Sequence, residues 1–269
     1  MNNPTFSLIT GAGSGIGFAF AAECARRGFH VLLVSLPGES LLQKSADLAS
    51  KYKVQAKYFE CDLSEPNACT ELFDFVKREN LVIGMLINNA GMGSNGDFEQ
   101  FEPSFYHKQI YLNTIVPVTL TRIFIPILRA QSHSYILNVS SMGAFFAMPQ
   151  KEVYNATKAF LLSFSRSLQL HLEESTVQLS VVCPGPVDSN ARLLEIHRDL
   201  KGMAKKAVMK PSEVAAIAIA GLMAGKPLII PGRLNRIMRV LNRWIPARLK
   251  KNFMRKEMER QAALSKRGS

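Results

Sequence analysis

The chain has 269 residues, 47% of them hydrophobic and 20% charged, a globular composition that excludes a disordered or fibrous chain. Its formal net charge is +12, but residues 226–269 hold 13 Lys and Arg against 2 Asp and Glu, while the first 225 residues are nearly balanced. An acidic partner is therefore sought at the C-terminal end and not over the whole surface. Cys24, Cys61, Cys69 and Cys183 form no Cys-x-x-Cys pair and no cluster with His, which argues against a metal site or a disulfide frame and for a reducing compartment. The opening MNNPTFSLITGAGSG has no basic-then-apolar signal pattern, so a cytoplasmic location is expected.

Short apolar runs alternate with helix-length segments. FSLIT (6–10) reads as a strand, 15–28 as a helix ended by Gly28, HVLLVS (30–35) as a strand, 39–52 as a helix and 54–62 as a strand. A helix over 64–80, opened by Ser64 and Pro66, precedes a strand over 82–91. A long helix spans 103–130; its apolar part is interrupted by Pro117, Arg122 and Pro126, so it reads as buried and not as a membrane span. Strands at 134–141, 177–185 and 227–232 alternate with helices at 152–174 and 211–224. Strict β-α-β order with strands apolar on both faces predicts an α/β fold, a doubly wound parallel sheet of about seven strands with helices on both faces.

The first strand runs into T-G-A-G-S-G-I-G, Thr10 to Gly17. Gly11, Gly15 and Gly17 let the backbone turn tightly against a pyrophosphate, and the helix that follows offers unpaired N–H groups and a partial positive charge. The strand–turn–helix context gives this glycine string its meaning as a dinucleotide site. Farther on, N-N-A-G occupies 88–91 and Y-N-A-T-K occupies 154–158. Together these motifs, in this order, make the chain resemble the short-chain dehydrogenase/reductase family over about residues 5–232, with a Rossmann-type catalytic domain in 1–232 and a basic amphipathic extension in 233–269.

The resemblance implies roles. Tyr154 would be the general acid/base, Lys158 its partner, Ser141 the carbonyl-positioning hydroxyl with Ser140 as the alternative, and Asn113 the holder of a proton-relay water. Thr157 stands where a Ser is usual and keeps the hydroxyl. The physics agrees with the pairing. Free tyrosine titrates near ~10, whereas an ammonium about 4 Å away would lower it by roughly three pH units. The i, i+4 spacing puts both side chains on one helix face. The cofactor would be held by Thr10, Gly11, Ser14, Gly15, Ile16 and Gly17, by Ser35, by Asp62 and Leu63, by Asn89, Ala90 and Gly91, by Tyr154 and Lys158, and by Pro184, Gly185, Val187 and Ser189. Ser35 and Leu36 supply no acid at the end of the second strand for ribose hydroxyls, which favours NADP(H) over NAD(H).

In such relatives the segment between serine and tyrosine lines the substrate cleft. Here it carries Phe145, Phe146 and Met148, which predicts an apolar pocket, with core packing of one Phe as the alternative. Residues 190–210 would be the lid, with Leu193, Leu194 and Ile196 toward the ligand, Lys205, Lys206 and Lys210 outward, and His197 solvated. In 233–245 the residues Leu234, Ile237, Met238, Leu241, Trp244 and Ile245 form one helical stripe, with Arg236, Arg239 and Arg243 opposite. A second basic helix is expected after Pro246. This tail fits either an anionic membrane surface, with 233–260 in contact, or a packed extension over the cleft or a subunit contact. It lacks the aromatic interleaving of a nucleic-acid binder.

The expected function is hydride transfer between a nicotinamide and a carbonyl or secondary alcohol, on a lipophilic substrate such as a long-chain 3-ketone, sphingoid or steroid. The chain looks most similar to the branch holding 3-ketosphinganine reductases and 17β-hydroxysteroid dehydrogenase-like proteins. The alternatives are a ketoacyl-carrier reductase and a non-catalytic nucleotide sensor or scaffold. A homodimer or homotetramer, peripheral at the inner face of a membrane, completes the expectation.

Overall fold

A computed structural model of the chain describes residues 5–94, 96–198, 200 and 202–244. Seven strands form one parallel sheet: β1 (Phe6–Thr10), β2 (His30–Ser35), β3 (Ala56–Glu60), β4 (Ile83–Asn88), β5 (Ser134–Val139), β6 (Val177–Val182) and β7 (Leu228–Ile229). Their order is β3-β2-β1-β4-β5-β6-β7, so the winding reverses between β1 and β4. Among the described residues ten α-helices connect or follow them: α1 (Gly15–Arg26), α2 (Leu41–Tyr52), α3 (Ala68–Arg78), α4 (Pro103–Ile110), α5 (Val116–Arg129), α6 (Glu152–His171), α7 (Ala191–Arg198), α8 (Gly202–Ala207), α9 (Pro211–Met223) and α10 (Arg233–Trp244).

The period of two along each strand sorts its apolar residues to opposite faces. Leu8, Leu32, Val34, Leu86 and Ile136 pack with Leu72 of α3 and Leu120 and Phe124 of α5. Their neighbours Ile9, Val31, Leu33, Ile87 and Leu137 pack on the other face with Phe20 and Cys24 of α1, Leu48 of α2 and Ile219 of α9. Both faces are thus dry, as the unbroken apolar strands require. The continuous helix 103–129 is long and apolar enough to cross a membrane by length and composition. Here it lies against the sheet, with Leu120, Phe124 and Leu128 fully buried.

Polar pins fix the two helices nearest the C-terminal ends of β4 and β5. Asn88 Nδ2 donates to Thr121 Oγ1 of α5 at 3.1 Å and to Asn138 Oδ1 at 2.8 Å. Asn138 Nδ2 then donates to Ser165 Oγ of α6 at 2.9 Å. Among the described residues the strands and helices fall where the sequence places them, shorter by a few residues at their ends. The second basic helix expected after Pro246, and Ile245 of the stripe, lie outside the described residues.

Candidate active site

The glycine turn is shaped for a phosphate. Gly11 and Gly15 adopt left-handed φ of 64° and 53°, which side chains resist. A Cβ on Gly17 would stand 1.9 Å from the Gly11 carbonyl oxygen. Ser14 caps α1 with an extended backbone, makes no side-chain cap bond, and no acid occupies the first turn. The first N–H groups of α1 are therefore left to an outside anion. Thr10 and Asn89 brace this turn from behind. Thr10 Oγ1 accepts from the Asn89 and Ala90 amides, both at 3.0 Å, and Asn89 Nδ2 donates to the Thr10 carbonyl at 2.9 Å. Ile16, in the first turn of α1, packs on the core. These residues fit a dinucleotide pyrophosphate.

At the end of β2 the structure adds two residues that the sequence reading missed. No acid sits at 35–36, but the Glu39 carboxylate folds back to accept a hydrogen bond from Ser35 Oγ. It lies flat on Gly13, where a Cβ would come within 1.5 Å of it. Lys44 Nζ donates to the Gly13 and Glu39 carbonyls, both at 2.6 Å. The signal was P-G-E-S at 37–40: Gly38 and Ser40 take left-handed φ of 83° and 56°, and this turn returns the acid to the strand end. At the end of β3, Asp62 accepts from the Ser64 amide and hydroxyl and pairs with Lys108 at 2.9 Å. Burial works against its charge, but Ser64 and Lys108 prevail and its pKa is lowered. Its side chain is thus engaged as a turn cap and ion pair, while the Leu63 side chain belongs to the core.

The four catalytic candidates converge at the C-terminal ends of β4 and β5. Ser140 is structural: it is 3% exposed and its hydroxyl donates to the Lys158 carbonyl at 2.8 Å. Ser141 is the one that reaches the Tyr154 phenol. Lys158 is 5% exposed, and its Nζ donates to the Val139 carbonyl at 3.0 Å. A Cβ on Gly91 would lie 2.8 Å from Asn113 Oδ1 and 3.3 Å from Lys158 Nζ, so the Asn-Asn-Ala-Gly loop leans on both.

Asn113 does not sit in a plain α-helix. Residues Tyr111–Ile115 form a π turn between α4 and α5, a feature frequent at functional sites. Its amide is held on three sides: Oδ1 accepts from the Met92 amide at 2.9 Å, and Nδ2 donates to the Met92 carbonyl at 2.9 Å and Thr157 Oγ1 at 3.0 Å. Thr157 Oγ1 in turn donates to the Tyr154 carbonyl at 2.7 Å. The hydroxyl kept at 157 is thus a link between Asn113 and the tyrosine's own backbone.

The electrostatics differ from the simple pair expected. Lys158 Nζ is 5.9 Å from the Tyr154 ring centroid and is turned to a backbone carbonyl. Burial raises the phenol's pKa, and the Ser141 hydroxyl offsets part of that. Burial also lowers Lys158, to about 8. Desolvation outweighs mutual attraction in this geometry.

The loop after β6 closes over the glycine turn: a Cβ on Gly15 would stand 2.8 Å from the Ser189 carbonyl. Pro184 accepts from the Met142 amide at 2.8 Å, and Val187 is buried and bridges to Met209. Gly185 makes room for Asn235 of α10. On the substrate side Met148 turns back toward Gly143, beside Ser141. Phe145 and Phe146, both half-buried, each pack one side on a small cluster of Met142, Leu162, Val181, Cys183 and Ile230. Leu193 is partly buried, but Leu194 is 42% exposed and lines a separate cleft of about 390 Å³ with Val208 and Met209. Tyr154 is not among the residues that line that cleft. His197 is no solvated lid residue either: its Nδ1 lies 2.6 Å from the Asp188 carboxylate.

Comparison with known proteins agrees with this geometry. The family model described as short chain dehydrogenase matches residues 5–196. Very-long-chain 3-oxoacyl-CoA reductase-B of Danio rerio is 33% identical over 183 residues, which cover 66% of this chain and 58% of that protein. The match thus spans less than two thirds of that relative's length. Among solved structures, the bulky-bulky ketone specific alcohol dehydrogenase from Comamonas testosteroni has a TM-score of 0.74 and 27% identity, covering 98% of this chain and 95% of that one. A short-chain dehydrogenase from Sphingobium yanoikuyae in complex with NADPH has a TM-score of 0.75 and 27% identity, covering 98% and 96%. The chain belongs to the short-chain dehydrogenase family.

Proposed function

We propose that this short-chain dehydrogenase is a cytoplasmic, nicotinamide-dependent reductase of a lipophilic ketone. The observation that carries the reading is the convergence of Asn113, Ser141, Tyr154 and Lys158 beside an uncapped helix N-terminus. A binding module has no use for all four. A nicotinamide held there would supply the hydride to the carbonyl carbon.

The chain's own residues manage the proton. Tyr154 Oη gives its proton to the carbonyl oxygen as negative charge develops there, and Ser141 Oγ donates a hydrogen bond to the same oxygen. The buried Lys158 ammonium stabilises the phenolate that remains and then helps it recover a proton. With a pKa of about 8 it is close enough to neutrality to exchange protons itself. Asn113 and Thr157 hold α6 and the Met92 loop in register for this transfer.

A lipophilic substrate is supported by Met148 beside Ser141, by the apolar cluster behind Phe145 and Phe146, and by what the zebrafish and Comamonas relatives act on. NADP(H) as the coenzyme is supported by Lys44, by the missing acid at 35–36 and by the NADPH complex of the Sphingobium relative. Glu39 stands against it and sets the margin. Self-association as a dimer or tetramer is supported by an apolar groove of about 710 Å³ between α5 and α6, lined by Val118, Ile125, Phe164 and Leu168 among others.

The test is turnover of NADPH and of NADH against long-chain 3-ketones, steroid ketones and short ketoacyl thioesters. Activity on apolar ketones should fall about a hundredfold or more in Tyr154→Phe, with cofactor binding retained. Turnover by Tyr154→Phe at the parent's rate would sink the assignment. Tight cofactor binding without turnover of any carbonyl would favour a sensor on the same fold.

A further inference from the structure

Helix α10 is attached by its polar side. Asn235 is 3% exposed, and its Nδ2 donates to the Pro231 carbonyl at 2.9 Å. It fills the space left by Gly185 and Gly232, where a Cβ would come within 2.5 and 2.9 Å of its amide. One turn later, Arg239 lies over the Phe145 ring, 5.2 Å from its centroid. The opposite side of the helix is apolar and points outward: Ile237, Val240 and Leu241 are 54%, 60% and 52% exposed. Exposed Arg236 borders them on one side, and exposed Arg233 sits one turn before Ile237 on the same face. A helix that only covered the cleft would turn its apolar stripe inward, and this one turns it out.

We propose that this outward face of α10 docks on an anionic lipid bilayer. An apolar strip flanked by arginines fits the boundary between acyl chains and negative headgroups. Residues 226–269 carry 13 Lys and Arg against 2 Asp and Glu, so the occupant must bring negative charge. A second copy would bring the same positive excess against itself, which argues against self-association through this face. The helix that docks is also the one whose Arg239 touches Phe145, four residues from Ser141. Docking would therefore set the substrate mouth at the lipid surface. That last step rests on the reading that the substrate is a lipophilic ketone; the docking does not.

The chain has one tryptophan, Trp244, the final residue of α10, so its emission reports on this helix. The apo protein is titrated with phosphatidylcholine vesicles, with and without phosphatidylglycerol. Emission should shift to the blue and the protein should co-sediment with the anionic vesicles, binding them about a hundredfold more tightly than neutral ones. The double variant Ile237→Glu, Leu241→Glu should lose roughly a hundredfold in partitioning, with turnover of a water-soluble ketone unchanged. Equal binding to neutral and anionic vesicles, no binding at all, or binding indifferent to the double variant would each overturn the proposal. So would sedimentation velocity showing that the double variant splits a dimer, since the face would then belong to a second copy. The vesicle-binding and sedimentation readouts need no ketone, so vesicle binding without turnover would leave the docking intact and remove only the enzymatic reading.

Discussion

Replacing Lys158 by Met should abolish most turnover and yet relieve the fold of a charge. Lys158 is 5% exposed, and burial lowers its pKa from 10.5 to about 8. Each pH unit of displacement is worth about 1.36 kcal/mol, so at pH 7 the buried ammonium costs roughly 3 kcal/mol. The sign follows from proton counts. Between the folded value and the unfolded value the unfolded chain binds more protons, so stability rises with pH across that window. Against this, the variant orphans the Val139 carbonyl, at a cost of about 1–3 kcal/mol, and the net effect at pH 7 is small. The pH dependence separates the two, because only the charge titrates. Urea unfolding of both proteins at pH 7 and pH 10 should show the parent gaining about 2–3 kcal/mol on the variant. Taking the difference removes the buried thiols, which act in the opposite sense. Burial pushes Cys24 up to about 12, so the folded thiol keeps a proton the unfolded chain loses, and stability falls as pH rises above the unfolded value. A difference between parent and variant that does not move with pH would refute a desolvated, titrating Lys158.

Two other substitutions test the cofactor end. Glu39→Gln removes the charge lying on Gly13 and beside Ser35, so the ratio of NADPH to NADH affinity, read by cofactor fluorescence, should rise roughly tenfold; an unchanged ratio would mean that this carboxylate does not face the ribose. Gly17→Ala would push a methyl to 1.9 Å from the Gly11 carbonyl, an immovable backbone atom, and should end cofactor binding. Gly28→Ala, at φ 86° with nothing within 4 Å of the new methyl, should cost only about 1–2 kcal/mol of stability and leave binding intact. Equal loss of binding in both variants would show general destabilisation and not a shaped turn.

Much of this site was legible because its parts are local. The glycine string needs only its own backbone, and Tyr154 and Lys158 share a face by helical spacing alone. What was missed depends on contacts distant in sequence. The apolar rhythm of 103–130 reads as one α-helix, and nothing in it announces the π turn at Asn113. That turn fits an amide anchored to Met92 and Thr157, residues from two other segments. An acid at the end of β2 was sought at 35–36, where a straight strand end would place it, and comes instead from Glu39 through a left-handed turn. The apolar stripe on α10 is legible in the periodicity, but its direction was left open there between a membrane surface and the cleft. Direction depends on Asn235 finding the room that Gly185 and Gly232 leave, a fit between side chain and missing side chains that periodicity does not carry.

The catalytic cluster is a place where burial works against ionisation, and the fold answers with redundancy. Lys158 is fastened at both ends, its ammonium to the Val139 carbonyl and its own carbonyl to Ser140 Oγ. The two partners bracket the end of β5, so a lysine that burial disfavours is tied directly to the sheet. Asn113 and Thr157 do the same for the start of α6 from the other side. Unpaired, each of these groups would cost about 1–3 kcal/mol; paired, they contribute little net stability but allow one arrangement. That arrangement keeps Lys158 partly discharged near neutrality and Tyr154 protonated, the states that the proposed proton delivery to a carbonyl would use. A looser site would let water return, restore the lysine to its ordinary range near 10.5, and lose the exchange at neutral pH along with the fold's reason for burying it.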